Sequence, residues 1–350
     1  MAYITFQPSD YFNTKLYTGN GSTQSITGVG FQPDWVWSKK RNATCDHHIF
    51  DVIRGATYKI NSASTETSSA DANTLTSFDS DGFSVGTNSC QNNSSDTFVS
   101  WNWRAGNSQG SSNTDGSINT TYTSVNTTAG FSISTYTGNS TQGATLGHGL
   151  GVAPSMIILK STTHTEDWAV AHEHMNSTNP WDYYMNLNAT SAKGQNNNRF
   201  GNVSPTNTVF TLGSSDEVNG SGKSYVAYCF AEKKGFSHFS SHVGNGDTNG
   251  PYIYTGFKPA WFLLKPSSIA GSWFVWDSTR SPINQAQKIL SPESNGAEAD
   301  SSGAAVDFLS NGIKIRNTDG GINQNGVTYI TMAFAEEPLV SSNNIPATAR

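Results

Sequence analysis

Two short stretches carry residue types that catalysis uses, and a third carries those of a cation site. Gly106-Asn107-Ser108-Gln109-Gly110 has the Gly-x-Ser-x-Gly spacing that lifts a nucleophilic serine on a sharp strand-to-helix turn. That turn needs a helix after the serine, and Ser111-Ser112-Asn113-Thr114-Asp115-Gly116 cannot begin a helix core, so acyl transfer is not expected there. His172-Glu173-His174 would turn two imidazoles to one side of a strand, with His164, His47 and His48 as further metal donors. No fixed third ligand accompanies them, and turn or surface histidines are the plainer reading. Asp79-Ser80-Asp81-Gly82 begins like a calcium loop but lacks the rest of its ligand set. There is no Walker lysine loop and no carboxylate pair repeated along the chain as a glycosidase pair might be. The sequence is therefore expected to be that of a non-enzyme with no cofactor and no metal.

Two further patterns concern binding. Asp51-Val52-Ile53-Arg54 and Asp277-Ser278-Thr279-Arg280 share an Asp-x-x-Arg spacing, and the matching segment near residue 172 replaces it with His172 and Met175. A ligand contact needed in every copy should not vanish from one, so an ion pair pinning a turn is the plainer reading. Aromatic rings with Asn, Ser and Thr suit sugars, because ring faces stack on pyranose C–H groups while amides match hydroxyls. Trp181, Tyr183 and Tyr184 are the candidates for such a glycan platform, against the simpler expectation that they pack the fold.

The elements that would position these residues follow from a ten-residue pattern that occurs three times without a gap. It reads Gly, apolar, any, Pro, any, three apolar, any, Lys, at Gly30–Lys39, Gly151–Lys160 and Gly256–Lys265. Gly and Pro punctuate, the strand is expected to start after the Pro, and the apolar run suggests a strand covered on both faces. The closing Lys is expected to return the chain to water. Each copy is preceded by a strand, at Phe12–Tyr17, Phe131–Tyr136 and Phe236–His242, that is closed by a Gly-Asn turn, and in Thr18-Gly19-Asn20-Gly21 the Asn-Gly dipeptide is the one that accepts positive φ. Each is followed by a long polar stretch at 61–73, 186–198 and 290–303, where recognition loops are expected. Short strands come next at Gly82–Val85, Val209–Leu212 and Gly312–Ile315, then polar hairpin-like stretches around Asn92, Asn219 and Asn323. The closing strands alternate, with Val99, Trp101 and Trp103 matching Val226, Tyr228 and Phe230, and Ile330, Met332 and Phe334. The core expected from the repeat is Trp35, Trp37, Trp101, Trp103, Met156, Ile158, Tyr228, Phe230, Trp261, Leu263, Met332 and Phe334, each sandwich hiding its large face against itself.

The fold class expected is all-β: three tandem, structurally similar antiparallel β-sandwich units of jelly-roll or lectin-like type. Their bounds are 11–104, 130–232 and 235–337, with an N-terminal arm at 1–10, a linker at 105–129 that is flexible at its start and becomes a strand around 117–125, and a C-terminal tail at 338–350. The arm could pack on a neighbouring molecule or be a disordered tail, and Lys233-Lys234-Gly235 is short enough to force the last two units side by side.

Composition fits this reading. Gly at 33 residues and aromatics at 11% favour strands and turns, and charged residues at 13% are about half the usual share of about 25%. A net charge of −6 gives no basic field for a phosphate backbone, so nucleic acid is not an expected partner. No apolar run approaches the ~20 residues of a membrane helix, and Met1–Phe6 lacks the basic start and apolar core of a signal peptide. Synthesis in a cytosol is expected. Three cysteines cannot all pair; Cys45 and Cys90 could bridge, but the other units have no equivalent, and a disulfide framework is not expected.

Residues 30–37, 50–57, 80–86, 147–154, 225–232 and 347–350, taken in that order, resemble a repeat family found in structural proteins of marine tailed bacteriophages, often left as a domain of unknown function. The resemblance runs from about Tyr11 to Arg350 and implies a virion location, on a tail fibre, head fibre, spike or capsid decoration. It carries no catalytic residues. The partners it implies are other virion proteins, further copies of the chain with a trimer favoured, and a host surface glycan; neither nucleic acid nor membrane is among them.

Overall fold

Alternating large apolar residues make Thr97–Trp103, Ser224–Phe230 and Thr328–Pro338 strands, and each becomes the centre of an antiparallel sheet. On one side it pairs with an opening strand, Phe12–Thr18, Phe131–Thr137 or Ser237–Val243. On the other it pairs with the Pro-led strand, Trp35–Lys40, Met156–Ser161 or Phe257–Pro266, beyond which lies a fourth strand, His48–Asp51, Ala169–His172 or Phe274–Asp277. The same strand order thus recurs in all three main sheets. The structure, a computed structural model, describes residues 6–338. Among these residues helices are single turns, and the fold is all-β and antiparallel.

A smaller sheet covers the outer face of each main sheet. These are Gln24–Thr27 with Gly82–Val85 and Leu75–Asp79, Ala144–Gly147 with Val209–Leu212, and Tyr252–Tyr254 with Gly312–Ile315 and Val306–Leu309. Each pair of sheets encloses its own apolar cluster, for example Val36 and Phe50 against Ile26, Phe83 and Val85.

The large faces do not close on their own sandwiches, which corrects the expectation from the repeat. All twelve expected core residues belong to one cluster shared by the three main sheets. The apolar runs are covered on both sides: Val36, Ile157 and Phe262 meet the small sheets, and their neighbours Trp35, Ile158 and Trp261 point inward to the core shared with the other two main sheets. Trp103 and Trp261 stand 5.5 Å apart, Trp35 and Tyr228 4.9 Å, and Phe230 and Phe334 6.1 Å, centroid to centroid, each pair bridging two sheets. Rings at these distances and tilts are favourable beyond the area they bury.

Several local expectations are also corrected. Lys39, Lys160 and Lys265 do not return to water; all three are fully buried, their ammonium groups donating to backbone carbonyls. The third Pro-led strand begins at Phe257, before its proline, because register shifts on either side of Pro259 absorb the missing N–H. Positive φ occurs in these turns as expected, at Gly21, Ser140 and Gly246, while the glycine before each Asn serves close approach. A Cβ on Gly19, Gly138 or Gly244 would fall within 2.1–2.4 Å of a backbone oxygen of the turn that precedes the closing strand. Those turns hold one-turn helices, Ser89–Asn92, Asp216–Asn219 and Gly320–Asn323, where a hairpin was expected. Asn92, Asn219 and Asn323 each accept from the backbone N–H of Asn20, Asn139 or Asn245, fixing the two turns together.

The start of the linker at 105–129 is not free, and its later part forms the expected strand, at Tyr122–Asn126 instead of around 117–125. Tyr122–Asn126 adds a strand to the edge of the second main sheet, and Asp34 accepts from the backbone of Ala105 at 2.6 Å and Asn107 at 2.9 Å. Cys45 and Cys90 are joined by a disulfide within the first sandwich, against expectation, while Cys229 is free and buried. Of the N-terminal arm, Phe6 packs on Tyr11 and on Phe236 of the same chain, at 5.2 and 5.7 Å. Residues 1–5 and the tail from 339 onward lie outside the described residues.

Candidate functional site

The motifs that could have carried chemistry are used to hold backbone in place. Ser108 lies in an irregular loop with no helix after it. Asp81 accepts from the N–H groups of Gly28 and Gly30, at 2.9 and 2.7 Å, and Asp79 from Ser77 and Ser84, so these carboxylates close turns. Among the described residues no group of three or more His, Cys, Asp or Glu is placed to hold a metal ion. Trp181 is only 5% exposed and packs in the core of the second sandwich. Tyr183 and Tyr184 are half-buried, each with a cation over its ring, Lys193 at 5.0 Å and Arg199 at 4.0 Å. The three do not form an open stacking platform.

The residues with the most chemical character gather where the main sheets meet. The Asp-x-x-Arg motifs are ion pairs that pin a turn: Arg54 Nε lies 2.6 Å from Asp51 Oδ2, and Arg280 pairs with Asp277 in the same way. Each Arg also donates back to its own fourth strand, at the carbonyl of Ile49 or Val275. What the spacing did not reveal is that each Asp reaches across to another sheet. Asp51 accepts from the Tyr228 hydroxyl at 2.8 Å, and Asp277 from the Trp101 indole N–H at 3.0 Å. In the second sheet His172 stands in the place of the Asp and donates from Nε2 to the carbonyl of Thr331, at 3.1 Å. Burial pushes the His172 pKa down to about 3, the neighbouring His174 adding to the effect, so this donor is a neutral imidazole.

These contacts run in one rotational sense: first sheet to second, second to third, third to first. The polar stretches expected to present outward loops follow the same circuit. The Thr65 carbonyl receives Lys160 Nζ and the backbone of Glu166, and Ser68 N–H reaches Thr162. Lys193 N–H donates to Ser267, and the Thr190 and Ser191 carbonyls receive Lys265 Nζ. Asn295 accepts from Cys45 N–H, and Glu298 grips the Arg41 guanidinium at 2.8 and 3.0 Å while also meeting Arg280 at 3.1 Å. Loops expected to be recognition surface are, at these residues, latches between sandwiches. Burial lowers the pKa of Lys39, Lys160 and Lys265 to about 8 each, and neighbouring carboxylates hold them from falling further.

One junction also carries an open cleft. Between the second and third sandwiches a hollow of about 330 Å³ is lined by His174, Met175, Asn176, Ser177, Lys193, Ser241 and Thr328. Beside it His238 Nδ1 meets Glu232 at 2.9 Å and His174 lies 3.8 Å from Glu173. Burial raises the Glu173 pKa, while His238 is the main group holding that of Glu232 down. The His238–Glu232 contact joins the two sandwiches, whereas His174 and Glu173 are neighbours within the second.

Such a molecule is of the class of all-β scaffolds in which antiparallel sheets close around a common aromatic core. The chain belongs to the family described as Domain of unknown function (DUF7483), which it matches over residues 7–338. The match crosses all three sandwiches without a break. No curated protein and no solved structure matches the chain.

Proposed function

We propose that the protein is a non-enzymatic structural component of a bacteriophage virion exterior, a tail fibre, head fibre or capsid decoration, made in the host cytoplasm and resident on the particle. The observation that carries the structural part of this reading is the circuit of latches around one core. Ion pairs, buried lysines and loop carbonyls that could serve a ligand are instead engaged in holding three sandwiches rigid with respect to one another. The virion placement rests on the sequence resemblance and is an analogy at the level of family.

The partners this reading calls for are other virion proteins and further copies of the chain. Among the described residues Phe12–Thr18 and Ser237–Val243 stand at the ends of the first and third main sheets, whereas Tyr122–Asn126 covers the equivalent strand of the second sheet. Open strand edges are sites where another chain adds. An antibody against the purified chain should decorate intact particles in electron micrographs, and the chain should appear in the protein content of washed virions. Its presence only in the soluble fraction of infected cells would remove the virion role.

A further inference from the structure

The small sheet over the third main sheet turns two phenol rings to solvent. Tyr252 and Tyr254 are 44% and 53% exposed and lie two apart on the end strand Tyr252–Tyr254, so they share the outer face while Ile253 between them enters the core. The same strand reads Ser25-Ile26-Thr27 in the first sandwich and Thr145-Leu146-Gly147 in the second. The apolar residue is buried each time, paired with Phe83, Phe210 or Ile313, and only the third copy carries rings at its flanks. Packing therefore asks for nothing aromatic at these two positions.

The rings are also held ready. Tyr252 donates from its hydroxyl to Asn311 Oδ1 at 2.6 Å, and its ring lies over Gly312, where a Cβ would come within 2.9 Å of it. Burial and the neighbouring Tyr254 both raise the Tyr252 pKa, which keeps the phenol protonated. Lys314 stands directly opposite Tyr252 and carries its ammonium along the strand to the Gly250 carbonyl, with no carboxylate in ion-pair range among the described residues. Farther along, Arg316 is paired with Asp307 at 2.8 Å. Asp307, across the strand from Lys314, is the carboxylate that Arg316 holds, so on a chain of net charge −6 this face sets two cations against one anion.

We propose that the face formed by Tyr252, Tyr254 and Lys314 is a binding site for an acidic saccharide of the uronic-acid class. The C–H face of a pyranose stacks on the two rings, and its carboxylate meets the Lys314 ammonium. The site is separate from the junctions between sandwiches and does not depend on where the protein resides.

The test is affinity electrophoresis and calorimetry of the full chain with polygalacturonate and alginate, against dextran as the neutral probe. Wild type is expected to bind the two acidic polymers, more weakly as salt is raised, and dextran less. Tyr254→Ala should weaken that binding about tenfold or more. Lys314→Gln should bring the acidic polymers to the level of dextran, and Tyr58→Ala, an exposed tyrosine of the first sandwich, should change nothing. Thermal melts of each variant establish that the fold is kept. Absence of binding by wild type, preference for dextran, or undiminished binding by folded Tyr254→Ala would each overturn the proposal, as would binding traced to self-association in light scattering.

Discussion

The indole N–H of Trp101 donates to Asp277 Oδ2 at 3.0 Å across 176 residues of sequence, in the buried space between the first and third main sheets. Tyr228 makes the matching bond to Asp51, from the second sheet to the first. At the remaining junction the aligned residue is Met332, a thioether with no proton to give, and there the Asp and Arg are replaced by His172 and Met175. A carboxylate facing Met332 would keep its own turn and Arg but gain no donor from the facing sheet, so a buried lone pair would be left without a partner there. The motif missing from the middle of the chain is thus explained by the residue it would have to face.

Trp101→Phe keeps a ring in the core and removes the donor. The Asp277 carboxylate retains Arg280 but loses a partner inside a buried site, and a loss of about 1–3 kcal/mol is expected. Trp101→Ala should cost more, roughly 3–5 kcal/mol, because a cavity is added at a place where three sheets meet. Urea unfolding followed by tryptophan fluorescence measures both. A Phe variant as stable as wild type would mean that the bond between the sheets contributes nothing.

Cys45 and Cys90 close a loop of 45 residues in sequence, and Cys45 N–H is bonded to Asn295 of the third sandwich. Cross-linking a loop of that length typically stabilises by about 2–4 kcal/mol through the unfolded chain. The double variant Cys45→Ala, Cys90→Ala should lose that amount, and dithiothreitol should shift the melting temperature of wild type but not of the variant. Equal shifts in both proteins would show that the bridge is not formed in solution.

How much of this was legible in the sequence depends on range. Period-two alternation at Trp101, Tyr228 and Met332 marked strands, because side chains on a strand alternate whatever lies beyond the sheet. Alternation does not say what a face packs against, so the shared core was assigned to single sandwiches. Burial of Lys160 was hidden for a similar reason: a lysine at a strand end reads as solvent-facing until a loop some hundred residues away, at Thr65, supplies the carbonyl that accepts its charge. Ring type alone does not give depth, so Trp181 could be read as a platform or as packing until its burial decided for packing, whereas Tyr252 and Tyr254 stand out only once their strand is aligned with two others that lack rings.

Arg41 and Glu298 form the best-defined latch, with two hydrogen bonds at 2.8 and 3.0 Å and both side chains largely covered. Paired guanidinium and carboxylate groups of this geometry are among the stronger polar contacts. Arg41→Ala leaves Glu298 with Arg280 but removes the ion pair that ties the stretch at 290–303 to the first sandwich, leaving the backbone bonds at Cys45 and Glu298 and the Ser62 hydroxyl on Pro292. Limited proteolysis should cut the variant within 290–303 several-fold faster than wild type, while the urea midpoint moves little. Unchanged cleavage would mean that the backbone bonds at Cys45 and Glu298 hold the loop without the ion pair.

Lys265 gives a test by pH. Burial lowers its pKa from 10.5 to about 8 in the folded chain, with Glu293 nearby working the other way. Between about pH 8 and pH 10 the unfolded chain therefore binds more protons at this position than the folded one, and the contribution of Lys265 to stability rises with pH across that window. Burial raises the Cys229 thiol and tyrosines such as Tyr228, so they lose protons near this window only when the chain unfolds, and they do so equally in wild type and in a variant that keeps them. Lys265→Met has no proton to lose, so its guanidinium midpoint should gain less than that of wild type between pH 7.5 and pH 9.5. The variant also leaves the carbonyls of Thr190 and Ser191 without their donor, which lowers its stability at every pH and does not alter the slope. Parallel pH profiles for the two proteins would place the Lys265 ammonium in water and sink the account of the buried lysines as latches.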